Sequence, residues 1–164
     1  MIACVDVDYR EKGAVAACVL FRSWGDAESA VEVVETIHHV EPYESGAFYR
    51  RELPCLLTVL GRVAEPVHTV VVDGYVWLGE SCPGLGAHLF RALEGEVPVV
   101  GVAKTRFAGA DLAREVVRGE SGRPLFVTAT GVALEAAAEH IRTMHGPYRI
   151  PTLLKRVDQL CRRG

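Results

Sequence analysis

The chain has 164 residues, 49% of them hydrophobic and 24% charged, which suits one sizeable core and excludes a disordered polypeptide. Its formal net charge of −3 excludes nucleic-acid binding driven by bulk charge, so any such site must gather its cations locally. The five cysteines, Cys4, Cys18, Cys55, Cys82 and Cys161, form no Cys-x-x-Cys pair. They predict small core thiols in a reducing compartment, without a disulfide frame or a zinc site.

Met1-Ile2-Ala3-Cys4-Val5-Asp6 has no basic leader region, and no apolar run reaches membrane-spanning length. The expectation is a cytoplasmic protein that does not engage a membrane. Residues 2–8 and 14–22 are apolar runs parted by Tyr9-Arg10-Glu11-Lys12-Gly13, which predicts a hairpin. Residues 30–37 mix apolar and acidic positions and predict a third, half-exposed strand. A helix over about 46–64 follows, with Pro54 expected to kink or restart it. Residues 67–73 read as a buried strand ending at Asp73-Gly74, and Pro83 is expected to open a helix over 83–93. Another strand is expected at 97–104. The turn at 120–124 leads into an edge strand at Leu125-Phe126-Val127-Thr128, and helices at 133–144 and about 151–162 close the chain. Three antiparallel strands followed by alternating helices and strands predict an α/β layer fold, in one domain over 1–164.

Two acids lie inside apolar runs: Asp6 in Ile2-Ala3-Cys4-Val5-Asp6-Val7, and Asp73 in Val70-Val71-Val72-Asp73-Gly74. A carboxylate in a buried strand needs a partner, because burying an unpaired charge is costly. Glu52, within Tyr43-Glu44-Ser45-Gly46-Ala47-Phe48-Tyr49-Arg50-Arg51-Glu52-Leu53-Pro54, is a third acid, paired with Arg51 where a helix should begin. Three carboxylates from separate segments are what an oxygen-coordinated magnesium site requires. Lys104 ends the strand Gly101-Val102-Ala103-Lys104. Each residue also has an ordinary structural reading. Asp73 could serve an Asp-Gly turn, Glu52 a solvated helix face, Lys104 a strand end and Tyr43 a half-buried loop. Asp8 shares a strand face with Asp6 and reads as the strand's wet end.

The segments Val5-Asp6-Val7, Tyr43 with Gly46, Arg51-Glu52-Leu53-Pro54, Asp73-Gly74, Gly101-Val102-Ala103-Lys104 and Tyr148-Arg149-Ile150-Pro151 occur in one order along the chain. In that order the chain resembles the endonuclease V family. Gly84-Leu85-Gly86-Ala87-His88-Leu89 resembles the family helix that follows the Asp-Gly turn. The resemblance implies a ribonuclease H-like mixed sheet flanked by helices. It implies a metal-dependent endonuclease of DNA repair type, hydrolysing a phosphodiester 3′ to a deaminated purine (inosine) in DNA or RNA. By motif position Asp6, Glu52 and Asp73 would hold Mg2+ or Mn2+, and Lys104 would stand beside the scissile phosphate. Tyr43 would be a wedge against the damaged base, with Gly46 and Arg51 as further nucleic-acid contacts. The chain also departs from the family. The family His-Pro-Arg falls on Gly79-Glu80-Ser81, a family histidine on Val132 and the wedge proline on Ser45, while Glu44 adds a negative charge. These departures support an alternative, a catalytically weak nucleic-acid-binding or regulatory protein that keeps the fold. A second alternative is another metal-dependent nuclease on this fold, acting on RNA or junctions.

Overall fold

Apolar runs that are buried on both faces make the centre of this molecule, and the computed structural model describes residues 1–164. In chain order the elements are β1 (Ile2–Tyr9), β2 (Ala14–Phe21), β3 (Val31–Ile37), α1 (Phe48–Leu60), β4 (Thr69–Asp73), β5 (Trp77–Gly79), β6 (Cys82–Pro83), α2 (Leu85–Ala92), β7 (Val99–Ala103), β8 (Arg114–Val116), β9 (Leu125–Thr130), α3 (Leu134–Thr143) and α4 (Thr152–Arg163). Seven strands form one sheet in the order β3-β2-β1-β4-β7-β9-β8. β1 runs parallel to β4 and β4 parallel to β7, while β1–β2, β2–β3, β7–β9 and β8–β9 pair antiparallel. The expected mixed sheet flanked by helices is therefore present.

α1 and α2 cover one face, and α3 and α4 the other. Every residue of β2 is buried, as a strand sandwiched between α1 and α4 requires. Alternate residues of β1 divide between two cores. Ile2 and Cys4 join Leu153, Val157 and Cys161 of α4, whereas Ala3 and Val5 join Cys55, Leu56 and Val59 of α1. β3 is the outer strand, and its burial alternates between half-buried and exposed, as its acid-apolar pattern predicts.

Three expectations need correction. α1 runs unbroken through Pro54, which lies on the exposed side, where water can satisfy the carbonyl that proline leaves unpaired. Pro83 does not open a helix; it pairs with Trp77 in the small β5–β6 hairpin, and α2 begins at Leu85. β9 is not an edge strand, because β8 pairs along its outer side. β8 itself and the β5–β6 hairpin are elements that the residue pattern did not reveal.

Two backbone crossings hold the functional end of the sheet in place. A Cβ at Gly101 would stand 2.5 Å from the Gly74 carbonyl oxygen and 2.8 Å from the Val76 nitrogen, so only glycine lets β7 approach the turn after Asp73. The Val76 N–H donates to Thr128 Oγ1 at 2.8 Å, fastening the same turn to β9. Arg118, only 5% exposed, donates to the carbonyls of Arg142, Met144, Gly146, Tyr148 and Arg149, which ties the loop between α3 and α4 to the chain after β8.

Gly101→Ala should lower stability by about 1–3 kcal/mol through this overlap, read as a lower urea midpoint at unchanged slope. Arg118→Met keeps the bulk and removes the donors, leaving the buried Met144 carbonyl unpaired and four half-buried ones without their donor. It should cost about 2 kcal/mol or more, measured in the same way. A neutral result in either variant would contradict the close approach or the clamp.

Candidate active site

Parallel register brings two acids to one level. Val5 of β1 lies opposite Val72 of β4, so Asp6 and Asp73 each come one residue later, level with each other where β4 ends and β1 runs on to Tyr9. Both line a cavity of about 340 Å3 between the sheet and α4, together with Lys104, Tyr148, Lys155 and Asp158. Lys104 follows β7, and its Nζ donates to Asp73 Oδ2 at 2.5 Å. Burial pulls the Lys104 ammonium down, but the hydrogen bond and charge of Asp73, with the charges of Asp6 and Asp158, outweigh it and leave its pKa raised.

Asp6 is 9% exposed. One of its carboxylate oxygens accepts from the Val7 N–H at 2.9 Å, and the other lies 3.6 Å from the Cys161 thiol of α4. Burial first, and then the charge of Asp73, push its carboxyl up to about 6. Asp8 takes no part in this group, because it pairs with Arg10 at 2.8 Å.

Glu52 reaches the same end of the sheet from the opposite face. In α1 the buried positions are Glu52, Cys55, Leu56 and Val59, a spacing that puts the acid on the helix's core stripe. It is 5% exposed, and its Oε2 is buried without a hydrogen-bond partner. Burial, then the charges of Asp6 and Asp73, raise its carboxyl to about 8. As the side chains stand, no three His, Cys, Asp or Glu groups are close enough to share one metal ion. The donor set nevertheless suits a divalent cation. Its oxygens are hard ligands, one of them is orphaned in the interior, and their mutual repulsion is what such a cation would relieve.

The residues around α1 that are expected to contact nucleic acid lie in different surroundings. Tyr43 is 64% exposed, in the loop before the helix. Gly46 has φ +79°, a left-handed turn that opens onto free space. Arg51 lies with its guanidinium carbon 3.8 Å from the Tyr9 ring centroid rather than standing free in solvent. Glu44 pairs with Arg50 at 3.0 Å. Gly79, Glu80 and Ser81 lie at the turn of the β5–β6 hairpin, and Val132 packs against the core beside α3.

Asp158 is the acid that the residue pattern did not single out. It lies on α4 directly after buried Val157, in a helix whose core stripe is Leu153, Val157 and Cys161. Its charge contributes to the raised pKa of Asp6, and it pairs with Arg162 at 2.9 Å. An acid flanking a helix's core stripe was the signal available. Its meaning depended on where the loop before α4 would place that helix.

A family model described as Endonuclease V matches residues 1–134. Endonuclease V of Streptomyces avermitilis is 33% identical, with the alignment covering 98% of this chain and 78% of the relative. That of Streptomyces coelicolor is 32% identical over 96% and 76%. The crystal structure of the Streptomyces avermitilis protein superposes at a TM-score of 0.79 with 29% identity, covering 99% of this chain and 79% of that one. Ciona intestinalis endonuclease V, in complex with a 24mer DNA containing an inosine followed by a ribo-adenosine, superposes at 0.80 with 19% identity over 99% and 84%. The shared architecture is α/β and ribonuclease H-like. On the family match and these identities, the chain belongs to the endonuclease V family.

Proposed function

We propose that this chain is a metal-dependent endonuclease that hydrolyses a phosphodiester 3′ to a deaminated purine (inosine) in DNA or RNA. Buried Glu52 carries the reading. Its orphaned Oε2 and raised pKa sit within the electrostatic reach of Asp6 and Asp73, an arrangement that costs stability and has no structural use. The Ciona relative bound to inosine-containing DNA supports the choice of substrate.

Asp6, Glu52 and Asp73 would hold magnesium or manganese, with Asp158 facing the same cleft. Such an ion, when bound, supplies a Lewis acid for the phosphate and a water of lowered pKa. Lys104 would exchange its bond to Asp73 for the phosphate and offset the negative charge that develops there. Tyr43 would stack against a base, being exposed and aromatic, while the turn at Gly46 sets where its loop joins α1. One observation favours the alternative of a catalytically weak nucleic-acid-binding protein: Lys104 already occupies an oxygen of Asp73. End-labelled DNA and RNA strands, with and without inosine and with magnesium, decide between them. A single cut on the 3′ side of inosine is expected, and binding without cleavage would favour the alternative.

Stability should report the acid cluster. Asp6 and Glu52 have folded-state pKa values raised to about 6 and about 8, against about 4 when unfolded. The folded protein therefore binds more protons than the unfolded chain between about pH 4 and 8, and stability falls as pH rises through that window. In metal-free buffer Tm should drop from pH 5 to pH 8, and Glu52→Gln should flatten the drop. Millimolar magnesium or manganese should raise Tm most at the alkaline end by mass action. Thermal scans that show no pH slope and no response to metal would sink the cation site.

Charge and stacking should fail differently. Lys104→Ala should lower kcat by about 10²–10³ while changing affinity little. Tyr43→Ala should weaken binding of inosine-containing strands by about 1–3 kcal/mol and reduce lesion preference. Unchanged lesion preference in Tyr43→Ala would remove the wedge assignment and leave a nuclease of another target.

A further inference from the structure

The cavity beside Asp6 and Asp73 is larger than a cation and its waters need. Its volume is about 340 Å3, and away from the acids its walls are apolar, formed by Val102 and Leu125 of the sheet and Leu154 of α4. Two side chains at its border have no structural occupation. Tyr148 is 70% exposed, an aromatic ring held out into solvent. Lys155 is exposed and forms no ion pair, whereas Lys104 in the same cleft is paired with Asp73.

The backbone under Tyr148 is fixed rather than loose. Its carbonyl accepts from Arg118 Nη1 at 2.9 Å, and the same guanidinium holds Met144, Gly146 and Arg149. Arg149 in turn donates to the carbonyls of Lys104 at 2.5 Å and Pro124 at 2.8 Å, joining this loop to the segment that carries the lysine. An exposed ring on a rigid backbone loses little freedom when something stacks on it, which is what a binding platform needs. A flat ring, an apolar recess and an unpaired cation together suit one nucleotide, with a base for the ring, a sugar for the recess and a phosphate for the ammonium.

We propose that this cavity seats a nucleotide of the substrate strand next to the bond that is cut, with its base stacked on Tyr148 and its phosphate paired with Lys155. The proposal rests on the nucleic-acid reading of the chain. It adds a second contact region, carried by the loop before α4 and by α4 itself, separate from Tyr43 and α1. A strand held at both places would be fixed on either side of Asp6 and Asp73. Four of the cavity's residues, Asp6, Asp73, Lys104 and Asp158, would then face the backbone of that strand rather than its bases.

The test is binding of fluorescent single strands carrying one inosine, made in DNA and in RNA, to the wild type, Tyr148→Ala, Tyr148→Phe and Lys155→Gln. In each strand series one base at a time is removed to leave an abasic sugar. Tyr148→Ala should weaken binding about tenfold, and Tyr148→Phe should restore it. At one position in the strand, base removal should weaken the wild type by a similar factor and Tyr148→Ala no further. Lys155→Gln should weaken all sequences alike and reduce the slope of log affinity against log salt by about 1. Base removal that multiplies with Tyr148→Ala at every position, or an unchanged affinity in Tyr148→Ala, would overturn the proposal. Cleavage is scored on the same strands. Cutting by a Tyr148→Ala protein of unchanged affinity overturns this subsite alone, whereas Tyr148-dependent binding without any cutting overturns the nuclease reading alone. Absence of both binding and cutting overturns both.

Discussion

The parallel run of β1, β4 and β7 constrains everything at the functional end of the molecule. Because the three strands point the same way, Asp6, Asp73 and Lys104 all emerge at one edge, and register places the two aspartates level with each other. Close approach at Gly101 lets β7 lie against the turn after Asp73, and the Thr128 hydroxyl fixes that turn from the next strand. A slip of one residue in β1 would send Asp6 into the α1 face and bring Val5 or Val7 into the cleft.

Given that frame, the charges have little room to move apart. Asp6 lies beneath α4 beside Cys161 and opens only into the cleft, and Glu52 is held on the core stripe of α1. The protein meets part of this cost by protonation, seen in the two raised pKa values, and part through Lys104, which neutralises Asp73 directly. A neutral acid, a paired acid and a lysine at the same edge make a site poised to exchange partners when a cation or a phosphate enters. Groups with such strongly shifted pKa values collect at functional sites because a core built only for stability would have apolar side chains there.

Much of this was legible in the residues, and the gaps have physical causes. The β1–β2 hairpin and half-exposed β3 announce themselves through continuous and alternating apolar patterns. Asp6 and Asp73 stand out because each interrupts a run of Val, Ala and Cys. Glu52 could be placed in a helix, and its core-facing position follows from its spacing to Cys55, Leu56 and Val59. Arg114-Glu115-Val116 could not be seen as a strand, since two of its three side chains are exposed and charged. Its existence depends on β9 as a pairing partner. With β8 invisible, β9 looked like an edge. Pro83 carries the signal of a helix start but is used in a hairpin, a choice made by tertiary contacts with Trp77 and the Gly84–Val76 hydrogen bond. Asp158 is an unremarked acid on an amphipathic helix until the fold sets α4 against β1.

Arg118 gives that last helix a cooperative character. One buried guanidinium serves five carbonyls spread from Arg142 to Arg149, from the last turn of α3 through the loop that leads into α4. These residues cannot detach one at a time without leaving a buried cation or a buried carbonyl unpaired, so the loop behaves as a single unit of local unfolding. Opening of this loop would therefore detach its carbonyls from the guanidinium together rather than one by one. That same opening would release Tyr148 from the border of the cavity and Arg149 from the Lys104 carbonyl in a single event.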